Sequence, residues 1–120
     1  MIKFREFTTS SGKIVLGGKS AENNEELIKQ VKSSEYVLHT AKPGSPFVNI
    51  KGRADKQDIK ESAVFCARYS KTWRDERKDI DVHIFHGKDI YKRTGMSLGT
   101  FGVKNYKLIK IKKEEIEKQS

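Results

Sequence analysis

One stretch of this chain repeats with the period of a helix over more than three turns. Ile59, Ala63, Cys66, Tyr69 or Ser70, and Trp73 recur every three or four residues, which places them on one helical face. The strand-like apolar segments are each four to seven residues long, and most are bounded by Gly, Pro, Ser or charged residues. A single long amphipathic helix among short strands must bury its stripe on a sheet. The absence of regular βαβ alternation makes that sheet largely antiparallel. The expected fold class is therefore α+β, a mostly antiparallel sheet with two main helices packed on it.

The segments fall in order. Residues 2–8 read as a strand, Ser10-Ser11-Gly12 as a turn, and residues 13–16 as the returning strand of a hairpin. Asn23 and Glu26 have capping-box spacing ahead of a helix carrying Leu27, Ile28 and Val31. Residues 36–40 and 47–51 form a second hairpin around Lys42-Pro43-Gly44-Ser45-Pro46, where Pro fixes φ and Gly permits a positive φ. Asp58 and Glu61 are placed to cap the main helix, which runs to about Trp73, and the charged residues 74–79 form a loop. Residues 82–85 and 108–111 complete the strands. Residues 1–113 make one domain, and 114–120 a charged tail or short helix.

At 120 residues the chain has room for one core. Its 35% hydrophobic and 9% aromatic content fits a folded domain with a thin core. The net charge of +9 is unevenly spread. Residues 88–113 hold eight bases (Lys88, Lys92, Arg93, Lys104, Lys107, Lys110, Lys112, Lys113) against one acid, Asp89. Clustered cations attract polyanions through phosphate neutralisation and counterion release; a solubilising surface is the alternative. One cysteine, Cys66, excludes an intramolecular disulfide and a multi-cysteine zinc site. Without an apolar leader or a spanning run, a reducing cytoplasmic setting and no membrane partner are expected.

Gly17-Gly18-Lys19-Ser20 stands between strand and helix, where a phosphate loop would stand. Gly12, however, is one residue too far away for the nucleotide-binding pattern. A strand-to-helix turn is the expected role, with Lys19 free to hold one backbone phosphate at the helix N-terminus. His83 and His86, three apart in a strand, point to opposite faces and cannot chelate one ion together. Cys66 lies on the helical stripe and reads as core. No carboxylate pair or nucleophile–base set stands out, so no catalytic residue, metal or cofactor is assigned. An RNA-modifying enzyme using His39 or Cys66 is the alternative from another class.

The stretch from Lys104 to Lys113 carries the most information. Read as one strand, it places Lys104, Tyr106, Leu108, Lys110 and Lys112 on one face. Lys107, Ile109, Ile111 and Lys113 lie on the other, with Ile109 and Ile111 turned to the core. An aromatic among lysines suits nucleic acid, cations on phosphates and the ring on an unpaired base. A lysine-guarded edge strand gives the same pattern.

Six segments, in order, resemble the NFACT-R domain family. They are Phe7-Thr8-Thr9-Ser10-Ser11-Gly12, residues 17–25 from Gly17 to Glu25, and His39-Thr40 with Pro43-Gly44-Ser45-Pro46. Lys51-Gly52, Tyr69-Ser70-Lys71-Thr72-Trp73, and Leu98-Gly99-Thr100-Phe101 leading to Asn105-Tyr106-Lys107 follow. The resemblance spans residues 4–113 and implies RNA binding, to tRNA or rRNA, in translation or ribosome-associated quality control, with the ribosome as a possible partner. The chain looks like a standalone member, for which the family implies a link to tRNA modification or translation. It departs from many members in carrying Pro46-Phe47 where they have His after the turn serine. Phe47 is left either to stack on a base or to pack.

The family motifs assign Lys19, Ser20, His39, Ser45, Lys51, Lys71, Asn105 and Lys107 to the functional face, and Tyr69, Trp73, Leu98 and Phe101 to core support. Added to the lysine strand, the expected RNA-binding set is Lys19, Ser20, His39, Ser45, Lys51, Lys71, Lys104, Asn105, Tyr106, Lys107, Lys110 and Lys112. The competing reading is an adaptor whose basic strand docks an acidic protein or pairs with another sheet edge, or an accessory part of a tRNA-modification system. DNA binding is a third, because charge does not distinguish the two polymers.

Overall fold

A computed structural model of the chain describes residues 3–118. Met1, Ile2, Gln119 and Ser120, at the outer ends of the expected first strand and tail, lie outside them. The elements in chain order are β1 (Arg5–Thr8), β2 (Ile14–Gly17), α1 (Ala21–Lys29), β3 (Tyr36–Thr40), β4 (Val48–Ile50), α2 (Lys56–Arg68) and α3 (Lys71–Glu76). They continue with β5 (Ile80–His86), a 3-10 turn (Gly87–Asp89), β6 (Ile90–Tyr91), β7 (Gly102–Val103), β8 (Lys107–Ile111) and α4 (Lys113–Lys118). The main sheet has the order β1-β2-β4-β3-β5-β8 with every neighbour antiparallel. The expected α+β class with an antiparallel sheet is the one observed.

Alternation along the strands divides the core into two layers. Val15, Leu38, Val48, Ile50, Val82 and Ile111 face α2, whose Ala63, Cys66 and Ala67 pack on them with Trp73 of α3 and Ile116 of α4. The opposite face presents Val37, Phe47 and Phe85, covered by Leu27, Ile28 and Val31 around α1. The short hairpin of β6 and β7, in which Ile90 pairs with Val103, adds Ile90, Phe101 and Val103 to that cover. This second cover stops short of β8. Leu108, on the uncovered face, is 54% exposed, whereas Ile111 on the α2 face is fully buried.

Several helix boundaries differ from their expected positions, each for a local reason. Ser20, not Asn23, caps α1: its hydroxyl accepts from the Asn23 amide. Asp55 caps α2 and exchanges reciprocal bonds with Asp58, so Asp58 is the third helical residue rather than the cap. The long helix does not reach Trp73. Ser70 donates to the Ala67 carbonyl, ending α2, and accepts from the Trp73 amide, starting α3. Arg74 to Glu76 are thus helical, where a loop was expected. The stretch from 104 does not form one strand either: Lys104 and Asn105 make a bend after β7, and β8 begins at Lys107. The stretch read as a tail contains α4, whose Ile116 is fully buried.

Candidate nucleic-acid interface

The sheet face beside α1 opens into a cleft of about 510 Å³. Its floor is made by side chains of matching strand parity: His39 on β3, His83 on β5, and the neighbouring Phe47 and Phe85. His39 and His83 are paired across β3 and β5, and His83 is paired with Leu108 across β5 and β8. The row therefore continues from the cleft floor onto the uncovered part of the sheet. Tyr106 lies flat on His83, ring centroids 4.0 Å apart and planes 25° apart. His39 lies 4.5 Å from Phe47, and Phe47 meets Phe101 edge-on at 5.5 Å.

The cleft walls are two loops. One is the Pro43-Gly44-Ser45 turn, with Gly44 at φ +95°, a conformation that a side chain would strain. It is fastened by the Lys71 amide donating to the Gly44 carbonyl at 2.7 Å and by Ser45 Oγ accepting from the Thr40 amide at 3.0 Å. The other wall is Gly99-Thr100-Phe101. A Cβ on Gly99 would fall 2.7 Å from Ala21 Cα, so only glycine lets this loop lie against α1. Glu25 accepts the Gly99 amide at 2.6 Å and pairs with Lys92 at 2.6 Å. Lys92 also donates to the carbonyls of Ser97 and Thr100, at 2.8 Å each, and sits 4.5 Å over the Phe101 ring. The Lys92 ammonium, with the Gly99 amide, holds the Glu25 carboxyl below its ordinary pKa.

Burial of the two imidazoles sets their charge. Burial lowers the His39 pKa against an opposing bond to Thr40, and lowers that of His83 against the charge of Asp81. Both shifts favour the neutral ring. Burial likewise pushes the Cys66 thiol up to about 12; its Sγ lies 3.7 Å from the Pro46 carbonyl, in the core.

The expected site residues separate into groups. His39, Ser45 and Tyr106 line the cleft. Lys71 and Lys104 are exposed at its margin, one fastened to Gly44, the other following Val103 of the lining. Lys107 is exposed at the start of β8, on the face turned toward α2. Asn105 is exposed and its amide is 3.5 Å from Asp89. Lys110 and Lys112 are exposed but lie 4.0 Å from Asp81 and 3.7 Å from Asp79. Lys19 is exposed before α1, and Ser20 is occupied in capping.

Lys51 is at the far end of the sheet. Its ammonium meets Glu35 at 2.8 Å, Gln30 Oε1 at 2.7 Å and Asn49 Oδ1 at 3.2 Å, an internal network. Phe47 packs, being only 5% exposed. Trp73 is in the core and Phe101 supports the cleft, whereas Leu98 is 55% exposed rather than supporting the core. Asn24 and His83 of the lining were not expected there. Strand parity with Phe85 is the sequence signal that places His83 on this face.

The architecture is a six-stranded antiparallel α+β domain with an aromatic-floored cleft beside an uncovered sheet edge. Residues 3–105 match the family described as the NFACT protein RNA binding domain, and the chain belongs to that family. A relative, the archaeal Rqc2 homolog aRqcH of Methanocaldococcus jannaschii, is 31% identical over 94 residues, covering 75% of this chain and 14% of that protein. The chain thus spans about one seventh of the length of that relative. The C-terminal part of the fibronectin/fibrinogen-binding protein from Streptococcus suis superposes with a TM-score of 0.83, covering 97% of this chain and 48% of that one. Its sequence identity is 22%, so the likeness is one of fold.

Proposed function

We propose that this domain is a non-catalytic module that binds structured RNA, tRNA or rRNA, in a cytoplasmic translational or ribosome-associated quality-control setting. Membership of an RNA-binding family and likeness to an archaeal Rqc2 homolog support the setting. The observation that carries the reading is the uncovered row from the cleft to β8. There Tyr106 on His83, Leu108 and Lys110 share one open face, with Lys104 at its margin and Lys107 on the other side of the same edge strand.

Lys71, Lys104 and Lys107 have no carboxylate partner among the described residues, so phosphates are the anions they meet in this reading. Lys110 and Lys112 contribute by exchanging Asp81 and Asp79 for phosphate. Lys51 has a structural role. Shape and charge, more than a base code, choose the RNA. Fluorescence anisotropy with tRNA, single-stranded RNA and duplex DNA across a salt series tests the reading. The expected result is tightest binding to tRNA with affinity falling steeply as salt rises. Equal, weak binding to all three would refute it and favour a protein-docking adaptor.

A further inference from the structure

The cleft differs from the rest of the basic surface in having no cation in its floor. Its floor consists of His39, His83, Phe47 and Phe85, with cationic residues around the mouth: Lys42 next to Pro43, Lys71 under Gly44, and Lys104 after Val103. With the neutral form of both imidazoles favoured, the interior offers apolar and hydrogen-bonding surface but no charge to hold a phosphate. A volume of about 510 Å³ lies within the roughly 300–1,000 Å³ of small-molecule sites.

Two groups in the lining are left with unused hydrogen-bonding capacity. His39 Nδ1 is 2.7 Å from the Thr40 carbonyl oxygen, which only accepts. The neutral ring therefore carries its proton on Nδ1 and keeps a lone pair on Nε2. That Nε2 has no partner among the described residues. Asn24 uses its Oδ1 to accept from the Phe47 amide at 3.2 Å, which leaves its NH₂ as a donor.

From the aromatic floor, the cation-bearing mouth, and the free acceptor on His39, we infer that the cleft takes an unpaired nucleobase of the bound RNA. The base is held with its sugar-phosphate at the lysine rim. This rests on the RNA-binding reading and deepens it: duplex stems supply the phosphates, and a splayed-out nucleotide supplies the anchor. Bases unstacked from loops are the ones that aromatic and imidazole faces can receive. Every base carries a donor that can meet His39 Nε2, the exocyclic amine of adenine, cytosine and guanine or the ring N3–H of uracil, so the lone pair holds a base without choosing one. The small residues of both walls, Ala21, Gly44, Ser45 and Gly99, leave the entrance open.

The test uses anisotropy with one RNA hairpin in several forms, each with the same stem and the same number of phosphates. In one form every loop nucleotide is abasic; in others the loop is all adenine, all cytosine or all uracil. The expected result is about tenfold weaker binding for the abasic loop than for any base-bearing loop, at an unchanged salt slope. His39→Phe, which keeps a ring and removes the lone pair, weakens every base-bearing loop and leaves the abasic loop unchanged. Thr100→Trp, which fills the cleft from its exposed wall, brings the parent loop down to the abasic affinity. Both variants are checked by thermal melting. Equal affinity for abasic and parent hairpins, with steep salt dependence retained, would overturn the base pocket and leave RNA binding standing. No salt-dependent binding of any hairpin would overturn both.

Discussion

Tyr106 lies stacked on His83 at 4.0 Å, closing one end of the cleft while remaining 54% exposed itself. The pair joins the bend after β7 to the middle of β5, and it covers one face of a ring whose pKa burial has lowered. Tyr106→Ala uncovers that ring. The His83 pKa is then expected to rise toward the ordinary histidine value, followed as the pH midpoint of its ring proton shift in NMR. Loss of one partly exposed aromatic pair costs about 1 kcal/mol of stability. RNA affinity falls about tenfold through the lost stacking surface. An unmoved midpoint would mean that Tyr106 does not shield His83 in solution.

Lys92 holds the Gly99-Thr100-Phe101 wall in place from beneath. It joins Glu25 on α1 to two carbonyls of the loop and to the Phe101 ring. Lys92→Met keeps the length of the chain and removes the donors. Amide exchange at Gly99, whose N–H is accepted by the same Glu25 oxygen, is expected to accelerate, while exchange in β3 and β5 stays slow. The stability loss is about 1 kcal/mol, small because the ammonium is partly solvated and screened.

Asp58 ties the first hairpin to α2. It accepts from Ser11 at 2.5 Å and Thr9 at 2.8 Å, and caps with Asp55. These bonds, that of Ser11 foremost, lower its pKa from 3.8 to about 2. A depressed carboxyl stabilises the fold above its unfolded value near 3.8 and loses that contribution as pH falls toward 2. Acid unfolding between about pH 4 and 2 should therefore include an Asp58 component, absent in Asp58→Asn. Asp58→Ala should lose about 1–3 kcal/mol at pH 7, since it strips two hydroxyls and a helix start of their acceptor. Urea melts of the two variants across pH check both statements.

Strand parity and turn residues made most of this fold legible. The β3 limits, both hairpins, and the inward Ile109 and Ile111 follow from period-two alternation and Gly or Pro punctuation. What escaped were features decided by one side-chain bond. The break at Ser70 depends on where its hydroxyl bonds, and the stripe through Trp73 continues across it unchanged. Likewise Lys51 has the same local sequence signature as a surface lysine. Only the meeting of β4 with Gln30 and Glu35, far apart in the chain, gives it an internal role. The cleft arises from residues spread between Ala21 and Tyr106, so no local pattern announces it.

That difference between Lys51 and the margin lysines gives opposite expectations for two substitutions that each remove positive charge. Glu35 is 5% exposed at its side chain and accepts from Lys51, from the Lys32 amide and from the Gly52 amide. Against the cost of burial, these bonds hold its carboxyl below the ordinary range. Lys51→Met leaves that carboxylate without its cation, which should cost about 2–3 kcal/mol of stability, moderated by the partial solvation of Lys51. Its RNA affinity, measured well below the melting temperature, should retain the parent salt slope. Lys104→Glu with Lys107→Glu removes two exposed cations that have no carboxylate partner among the described residues. Stability should change by less than about 0.5 kcal/mol. The salt slope should fall by about two, one for each phosphate no longer neutralised. A slope that falls for Lys51→Met and holds for the double variant would move the RNA to the opposite end of the sheet, where Lys32 and Arg53 lie beside Lys51.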